Sequence, residues 1–256
     1  MSGGPVEVFL RRLAAAPSAV LSLDYDGTLA PFHVRRDEAV PYPGVRPLLA
    51  ALMAGGRTRV VVISGRGAVE VSGLLGLSPA PEIWGAHGWE RWRNGHEVTR
   101  HDPGADARMV LARAREALSA HGLDGHAEWK HASVAVHWRG EADAAGLRAR
   151  ATDALSPLTR YGGFALLPFA DGLELRCRRW HKGFALRAVL AEEPTEVAVA
   201  YAGDDATDED AFLALPGHGL GIRVSADDRP TAAAVSFPGP AELIAFLGRW
   251  QATRAP

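Results

Sequence analysis

Two aspartates separated by one residue follow an apolar segment near the start of the chain. The stretch LSLDYDGTLAPF, residues 21–32, leads directly into Asp24 and Asp26. Two carboxylates this close disfavour each other's ionisation, so the pair indicates a cation site or a place where carboxylates do chemistry. The alternative is an ordinary turn after a strand, because Asp and Gly are common turn residues. The stretch by itself favours neither interpretation.

Two further loops place polar residues directly after apolar segments. VVISGRG puts Ser64 after a strand-like run, where a hydroxyl and free backbone N–H groups can bind a phosphate oxygen. EVAVAYAG is followed by GDDATDEDAF, which begins its acidic run at Asp204. Some of those acids suit the first turn of a helix, yet oxygen ligands from several strand ends are also what Mg²⁺ prefers. Each loop alone has a simple structural explanation, but their joint occurrence favours a site.

The elements that must position these loops alternate between strands and helices. SAVLSL, TRVVVIS, EVAVAYAG and GLGIRV are apolar or β-branched runs typical of strands buried on both faces of a parallel sheet. VRPLLAALMAGG and KGFALRAVLAEE have apolar residues at helical spacing. This order predicts an α/β core with right-handed crossovers, in which ligands bind at the carboxyl ends of the strands.

The middle of the chain has a different pattern, which predicts an inserted α+β unit. ERWRNGHEVTR reads as a hairpin with its turn at Asn94-Gly95, and FALLPFADGLELRCR as a second hairpin around Asp171-Gly172. Helical patterns run through DARMVLARAREALSAHG and EADAAGLRARATDALS. We therefore predict a discontinuous core, 1–88 and 178–256, with a smaller cap domain at 89–177.

Composition excludes several classes of function. Of 256 residues, 47% are hydrophobic and 23% charged, and the net charge is −2. These values are those of a soluble globular protein without the basic surface of a nucleic-acid partner. Cys177 is the one cysteine, which excludes an intrachain disulfide and a cysteine-based zinc cluster. The N-terminus lacks the order of a secretory signal and no apolar run approaches a membrane span, so we expect a cytoplasmic protein with no membrane partner.

Four short motifs carry a resemblance to a known superfamily. DYDGTL, SGR, the lysine of HKGFAL and GDDATDED match, in order, the motifs of the haloacid dehalogenase (HAD) superfamily of phosphatases. The order of GAHGWE, EWKHASVAVHWR, ELRCRRWHKG and GDDATDEDAF further resembles the trehalose-6-phosphate phosphatase family over nearly the whole chain. The resemblance implies a HAD-like Rossmannoid core with an inserted cap, and a Mg²⁺-dependent hydrolysis of trehalose 6-phosphate.

The resemblance also implies roles for the motif residues. Asp24 would be the nucleophile that becomes an aspartyl phosphate, and Asp26 would move protons to the leaving oxygen and from water. The residues expected to hold Mg²⁺ are Asp24, the backbone carbonyl of Asp26, and Asp204, with Asp208 in support. Those expected to bind the phosphoryl group are Thr28, Ser64, Gly65 and Lys182. A lysine at this position would otherwise be an ordinary surface residue.

Recognition of the sugar is expected from polar residues beside the phosphate loop and in the cap. The candidates are Arg66, His87, Glu90, Glu128, Lys130 and Glu174. Each has the alternative of a structural or solvated side chain.

The sequence leaves four other functions open. Mannosyl-3-phosphoglycerate and sucrose phosphatases share the core, and a phosphomannomutase would use the same paired aspartates to move a phosphate. A sugar-phosphate sensor or regulatory partner of a synthase would keep the fold without turnover. The presence of Asp24, Asp26, Lys182 and Asp204 together favours an enzyme, whose pathway partner would be a trehalose-phosphate synthase.

Overall fold

The chain divides into two compact units. The computed structural model describes residues 4–33, 35–93, 96–130, 132–169 and 171–255. One unit combines Met1–Arg100 with His181–Pro256, and the second is His101–Trp180. The inserted unit therefore begins and ends later than the boundaries predicted at 89 and 177.

The described residues alternate between strands and helices along most of the chain. The strands are β1 Ala19–Leu23, β2 Thr58–Ile63, β3 Glu82–Gly85, β4 Glu90–Trp92, β5 Thr99–Arg100, β6 Ala127–Trp129, β7 Ser133–His137, β8 Phe164–Phe169, β9 Gly172–Cys177, β10 Ala198–Gly203, β11 Leu220–Val224 and β12 Val235–Phe237. The α-helices are α1 Pro5–Ala15, α2 Val45–Ala54, α3 Ala68–Leu75, α4 Gly104–Ala120, α5 Ala144–Leu155, α6 Lys182–Leu190, α7 Glu209–Ala214 and α8 Pro240–Arg254. Within the described ranges, no helix has the length and apolar character needed to cross a bilayer.

The larger unit is built on one sheet with the order β12-β11-β10-β1-β2-β3-β4-β5. Neighbours from β12 to β3 are parallel, while β4 and β5 are added antiparallel. Leu23 at the end of β1 is in register with Ala202 of β10 and Val62 of β2. The loops that follow these three strands consequently leave the sheet at one edge.

Both faces of this sheet are covered by helices. Leu21 and Leu23 of β1 pack in one core with residues of α1, α2, α3 and α8. Val20 of β1 and Tyr201 of β10 pack in a second core with α6 and α7. Strands covered on both sides are mostly apolar, which agrees with the uninterrupted burial of β1 and β10.

The inserted unit contains an antiparallel sheet with the order β6-β7-β9-β8. Helix α4 contacts β7 and α5 contacts β9, and Val134, Val136, Leu173 and Leu175 of these strands are buried. Alternation along a strand sends the intervening residues to the opposite face. The inserted unit therefore has one apolar face and one face that carries polar side chains.

The predicted elements agree with the structure, with one exception. The four strand runs, both core helices and the two cap helices are present, which confirms the α/β class with an inserted α+β unit. The hairpin of β4 and β5, however, belongs to the larger sheet, because Ile83 pairs with Trp92. Periodicity identifies a hairpin but not the sheet edge that its backbone joins. The predicted turn at Asn94-Gly95 lies outside the described residues.

Candidate active site

Asp24 lies buried where β1 ends, beside a buried lysine. Its backbone N–H donates to the carbonyl of Ala202 at 2.8 Å, and the residue is only 4% exposed. The Nζ of Lys182, the first residue of α6, is 2.8 Å from Asp24 Oδ1. Lys182 is itself only 2% exposed. Buried charges of this kind are found paired, so Lys182 is part of the site and not a surface lysine.

Lys182 is held between two carboxylates. Its Nζ also donates to Asp208 Oδ1 at 2.7 Å. Burial acts to lower the pKa of Lys182, but the charges of Asp208 and Asp24 outweigh it and leave the pKa above its usual value. A Cβ added at the next residue, Gly183, would lie 2.1 Å from the carbonyl oxygen of Asp210. Glycine there lets the start of α6 approach α7 and so fixes the position of the lysine.

Asp208 accepts four hydrogen bonds. Oδ1 accepts from Lys182 and from the hydroxyl of Tyr201 at 2.5 Å. Oδ2 accepts from the backbone N–H groups of Asp204 and Asp205 at 3.0 and 2.9 Å. A carboxylate has about four acceptor positions, so coordination of a metal would require Asp208 to release a partner. Its contacts favour orientation of Lys182 and Asp204 over direct coordination.

Three carboxylates meet at this edge and fit a divalent cation. Asp24, Asp204 and Asp208 offer oxygens that all lie within 4.8 Å of one another. Burial, with repulsion from Asp208 and Asp204, raises the pKa of Asp24 well above its usual value despite the nearby Lys182. Burial and repulsion from Asp208 likewise raise the pKa of Asp204 to about 7. The excess negative charge and hard oxygen donors suit Mg²⁺.

The loop after β1 packs closely on Asp204. Gly27 has a φ of +79°, and a Cβ added there would lie 2.1 Å from Asp204 Oδ2. Any other residue would be strained and would collide with the carboxylate. The buried hydroxyl of Thr28 donates to Asp204 Oδ1 at 3.3 Å. Thr28, predicted to bind phosphate, therefore contacts a candidate metal ligand in this structure.

Stability should depend on both Mg²⁺ and pH. The pKa of Asp204 is raised to about 7 in the folded state, whereas an aspartate in the unfolded chain releases its proton at about pH 4. Between these two pH values the folded state holds one more proton than the unfolded chain, so the metal-free protein should lose stability as the pH rises from about 4 to about 7. Mg²⁺ competes with the proton and binds the folded state, so it should raise the melting temperature more at about pH 8 than at about pH 5.

The matched comparison is Asp204→Asn, measured by the same thermal melts. The variant should lose most of the Mg²⁺-induced shift at both pH values. An equal Mg²⁺ shift in the wild type at the two pH values would contradict the prediction.

The loop after β2 brings Ser64 and Gly65 next to His87. Ser64 is buried, and its Oγ accepts from the backbone N–H of Arg66 at 3.1 Å. A Cβ added at Gly65 would lie 2.8 Å from His87 Cε1, so the imidazole packs against the glycine. Ala86 and His87 have φ values of +48° and +57°. Non-glycine residues rarely adopt this backbone, and such conformations cluster at functional sites.

The guanidinium of Arg66 donates to two carboxylates and a backbone carbonyl of the protein. Its Nε and Nη2 donate to the two oxygens of Asp26 at 2.6 and 2.7 Å. Its Nη1 donates to Glu70 Oε1 and to the carbonyl of Arg36. The predicted contact between Arg66 and substrate would have to compete with these bonds.

Glu90 also has internal partners. Its Oε2 accepts from the backbone N–H of Ala68 at 3.0 Å, and its Oε1 accepts from Arg100 Nε at 2.9 Å. Ala68 begins α3, where backbone N–H groups lack helical acceptors. Glu90 lies in the larger unit and is 8% exposed, so its position corrects the expectation of a cap residue: it supports the start of α3.

The remaining candidates lie together on the polar face of the inserted sheet. Glu128 and Glu174 are in register across β7 through Ala135. Glu174 Oε1 accepts from Ser133 Oγ at 2.6 Å and from Lys130 Nζ at 3.4 Å. The structure therefore brings three of the six predicted sugar-binding residues, Glu128, Lys130 and Glu174, into one cluster.

Sequence reasoning missed two contributors, Ser133 and Tyr201. Ser133 could have been found from the alternation of SVAVH, which places it on the same face as Ala135, the register partner of Glu174. Tyr201 is the one polar side chain in the strand AVAYAG, and a buried tyrosine hydroxyl usually requires a partner. The structure identifies that partner as Asp208.

Comparison with known proteins relates this geometry to a family. The sequence model of the trehalose-phosphatase family matches residues 22–240. The trehalose-phosphate phosphatase of Mycobacterium marinum is 33% identical over 254 residues, which cover 91% of this chain and 61% of that protein. The chain thus spans about three fifths of the length of the curated relatives it matches.

Two solved structures share the fold. Aspergillus fumigatus trehalose-6-phosphate phosphatase aligns with a TM-score of 0.72 at 24% identity, covering 98% of this chain and 99% of that one. A haloacid dehalogenase-like hydrolase from Bacteroides thetaiotaomicron aligns with a TM-score of 0.69 at 17% identity, covering 91% and 99%. These likenesses confirm the predicted HAD-like fold. Because the family model matches residues 22–240, which make up most of this chain, the chain belongs to the trehalose-phosphatase family.

Proposed function

We propose that this protein hydrolyses trehalose 6-phosphate to trehalose and inorganic phosphate. The observation that carries the proposal is the buried pair of Asp24 and Lys182, which lies beside Asp204 at the carboxyl edge of the parallel sheet. Membership of the trehalose-phosphatase family supports the choice of substrate. A binding protein would need neither a buried nucleophile nor a proton carrier beside it.

Asp24 would act as the nucleophile. One carboxylate oxygen forms a bond to phosphorus while the bond between phosphorus and the sugar oxygen breaks, which yields an aspartyl phosphate. Lys182 lies 2.8 Å from Asp24 and places a positive charge beside the transferred group. Ser64 and the backbone of Gly65 would contact the remaining phosphoryl oxygens.

Asp26 would carry the protons. It gives a proton to the sugar oxygen as that oxygen leaves. It then accepts a proton from water, whose oxygen attacks phosphorus and breaks the bond to Asp24. The products are trehalose and phosphate, and both aspartates return to their starting forms.

The residues that would hold Mg²⁺ are Asp24, Asp26 through its backbone carbonyl, and Asp204. Asp208 would orient Asp204 and Lys182. A bound Mg²⁺ supplies positive charge that offsets the repulsion between the carboxylate and the phosphate dianion. Thr28 donates a hydrogen bond to the carboxylate of Asp204, and the absence of a side chain at Gly27 leaves room for that carboxylate.

A phosphate-release assay over a panel of sugar phosphates tests the proposal. The panel contains trehalose 6-phosphate, sucrose 6-phosphate and mannosyl-3-phosphoglycerate, with Mg²⁺ present. We expect the highest kcat/KM for trehalose 6-phosphate. Faster turnover of another member would reassign the substrate, dependence on a bisphosphate activator would indicate a mutase, and binding without release would indicate a sensor.

The proposed substrate also implies a pathway partner. A trehalose-phosphate synthase would supply trehalose 6-phosphate, so we propose it as the preceding enzyme. The cytoplasmic location stays a prediction.

Sugar recognition is expected from the cluster on the inserted sheet. Glu128→Ala, Lys130→Ala and Glu174→Ala should each reduce kcat/KM for trehalose 6-phosphate by about 10- to 100-fold, the size of one charged hydrogen bond. Hydrolysis of a small aryl phosphate should be nearly unchanged, because that substrate has no sugar hydroxyls. Steady-state kinetics on the two substrates measure the contrast.

Glu116→Ala is the matched control for these three variants. Glu116 is an exposed carboxylate on α4 of the same unit, and its removal should affect neither substrate. Equal losses on both substrates in the three variants would show that their residues support the fold or the phosphate site.

A further inference from the structure

Arg66 connects the loop after β2 with the loop after β1. Its backbone N–H donates to Ser64 Oγ at 3.1 Å, and its guanidinium forms a two-point contact with the carboxylate of Asp26. One residue therefore contacts both the proposed phosphate-binding hydroxyl and the proposed proton carrier. The two groups act on the same phosphoryl group, so their relative position matters for turnover.

The two-point contact restricts the orientation of Asp26. Two parallel N–H donors at 2.6 and 2.7 Å define the plane of the carboxylate as well as its position. Lysine is a point charge and cannot do this. The contact occupies two of about four acceptor positions, so each oxygen of Asp26 keeps a position from which it can accept a proton.

Arg66 is itself held in place from its other side. Its Nη1 donates to the carbonyl of Arg36 at 2.6 Å and to Glu70 Oε1 at 2.5 Å. The residue is 5% exposed. An arginine fixed at both ends of its guanidinium can impose its geometry on Asp26, whereas a mobile surface arginine could not.

These contacts weigh against the role that the sequence predicted for Arg66. A guanidinium has five N–H donors, and four are already directed to Asp26, Glu70 and Arg36. Binding a phosphate or a sugar hydroxyl through more than one donor would break a contact with Asp26, Glu70 or Arg36.

We propose that Arg66 is a positioning residue that orients Asp26 to accept the proton of water during hydrolysis of the phosphorylated Asp24. In that step the water oxygen bonds to phosphorus, its proton goes to Asp26, and the bond between phosphorus and Asp24 breaks. The inference rests on the proposed phosphatase function.

The test uses Arg66→Met and an aryl phosphate with a good leaving group. Such a leaving group needs little protonation, so formation of the phosphoenzyme should stay fast while its hydrolysis slows. We expect kcat to fall by about 10- to 100-fold with an unchanged or lower KM. Rapid mixing should show a burst of the phenol equal to the enzyme concentration, and intact-protein mass spectrometry should detect phosphorylated enzyme.

Arg66→Lys and Arg46→Met are the companion variants. Lysine keeps the charge but not the two-point contact, so Arg66→Lys should show a smaller loss of kcat and still give a burst. If the methionine variant does not fold, the lysine variant provides the test. Arg46 donates to the carbonyls of Leu74 and Leu75 at the opposite end of α3. Its replacement should produce no burst, which separates orientation of Asp26 from general support of the helix.

A different kinetic result would overturn the inference. A raised KM with little change in kcat and no phosphoenzyme would assign Arg66 to substrate binding, as the sequence predicted. Failure of the proposed function is separately visible, because wild-type protein would then release no phosphate from trehalose 6-phosphate while the aryl phosphate assay still reports on Arg66.

Discussion

Replacement of Asp24 by Asn is expected to lower phosphate release from trehalose 6-phosphate by about 10⁴-fold or more, as loss of a covalent nucleophile does in other enzymes. An amide is neither anionic nor able to attack phosphorus. It can still accept a hydrogen bond from Lys182, which keeps Asp208 as a second partner. The measurement is inorganic phosphate released under saturating substrate and Mg²⁺.

Folding of the Asp24→Asn protein is the necessary control. Circular dichroism should be unchanged, because the substitution preserves the shape of a residue inside a packed site. Mass spectrometry should find no phosphoenzyme in the variant. Phosphate release above about one tenth of the wild-type rate by the folded variant would exclude Asp24 as the nucleophile.

Removal of Mg²⁺ should have the second-largest effect. Without the cation, Asp24, Asp204 and Asp208 face an incoming phosphate dianion with Lys182 as the nearest opposing charge. A metal ion stabilises charge at such a centre by several kcal/mol, so chelation should reduce turnover on the order of 10³-fold. Phosphate release measured before chelation, after it, and after Mg²⁺ is restored provides the test.

Asp204→Asn should raise the Mg²⁺ concentration needed for half-maximal activity, because it removes a charged ligand. Asp153→Asn is the matched control, since Asp153 is an exposed carboxylate on α5. That variant should keep the wild-type Mg²⁺ requirement. Full activity of the wild type after exhaustive chelation would refute the metal-dependent mechanism.

The position of the candidate site was largely predictable from local sequence. Apolar runs of strand length followed by Asp24, Ser64 and Asp204 predict parallel strands whose carboxyl ends carry polar groups. Parallel strands in one sheet bring those ends to a single edge, so the proximity of the groups follows from the order of the elements. The motif resemblance added Lys182, whose burial no local pattern reveals.

The partners of individual side chains were decided by tertiary structure. Arg66 and Glu90 looked like candidates for substrate contact, but the fold places Asp26 beside the first and the start of α3 beside the second. Asp208 was predicted to support the metal ligands, and it lies with Asp24 and Asp204 in the acidic cluster. Only the fold shows that its oxygens also accept hydrogen bonds from Tyr201 and from the backbone of Asp204.

The physical reason lies in the range of the interactions. Hydrophobic periodicity acts over a few residues and so determines which segments form strands, helices and hairpins. A hydrogen bond requires two groups within about 3 Å at a suitable angle, and residues distant in the chain meet that requirement only after packing is complete. The sequence by itself therefore determined the class of fold, the edge of the sheet that carries the candidate site and the types of side chain present there. Only the tertiary structure decided that the β4 and β5 hairpin joins the larger sheet and that Arg66 contacts Asp26.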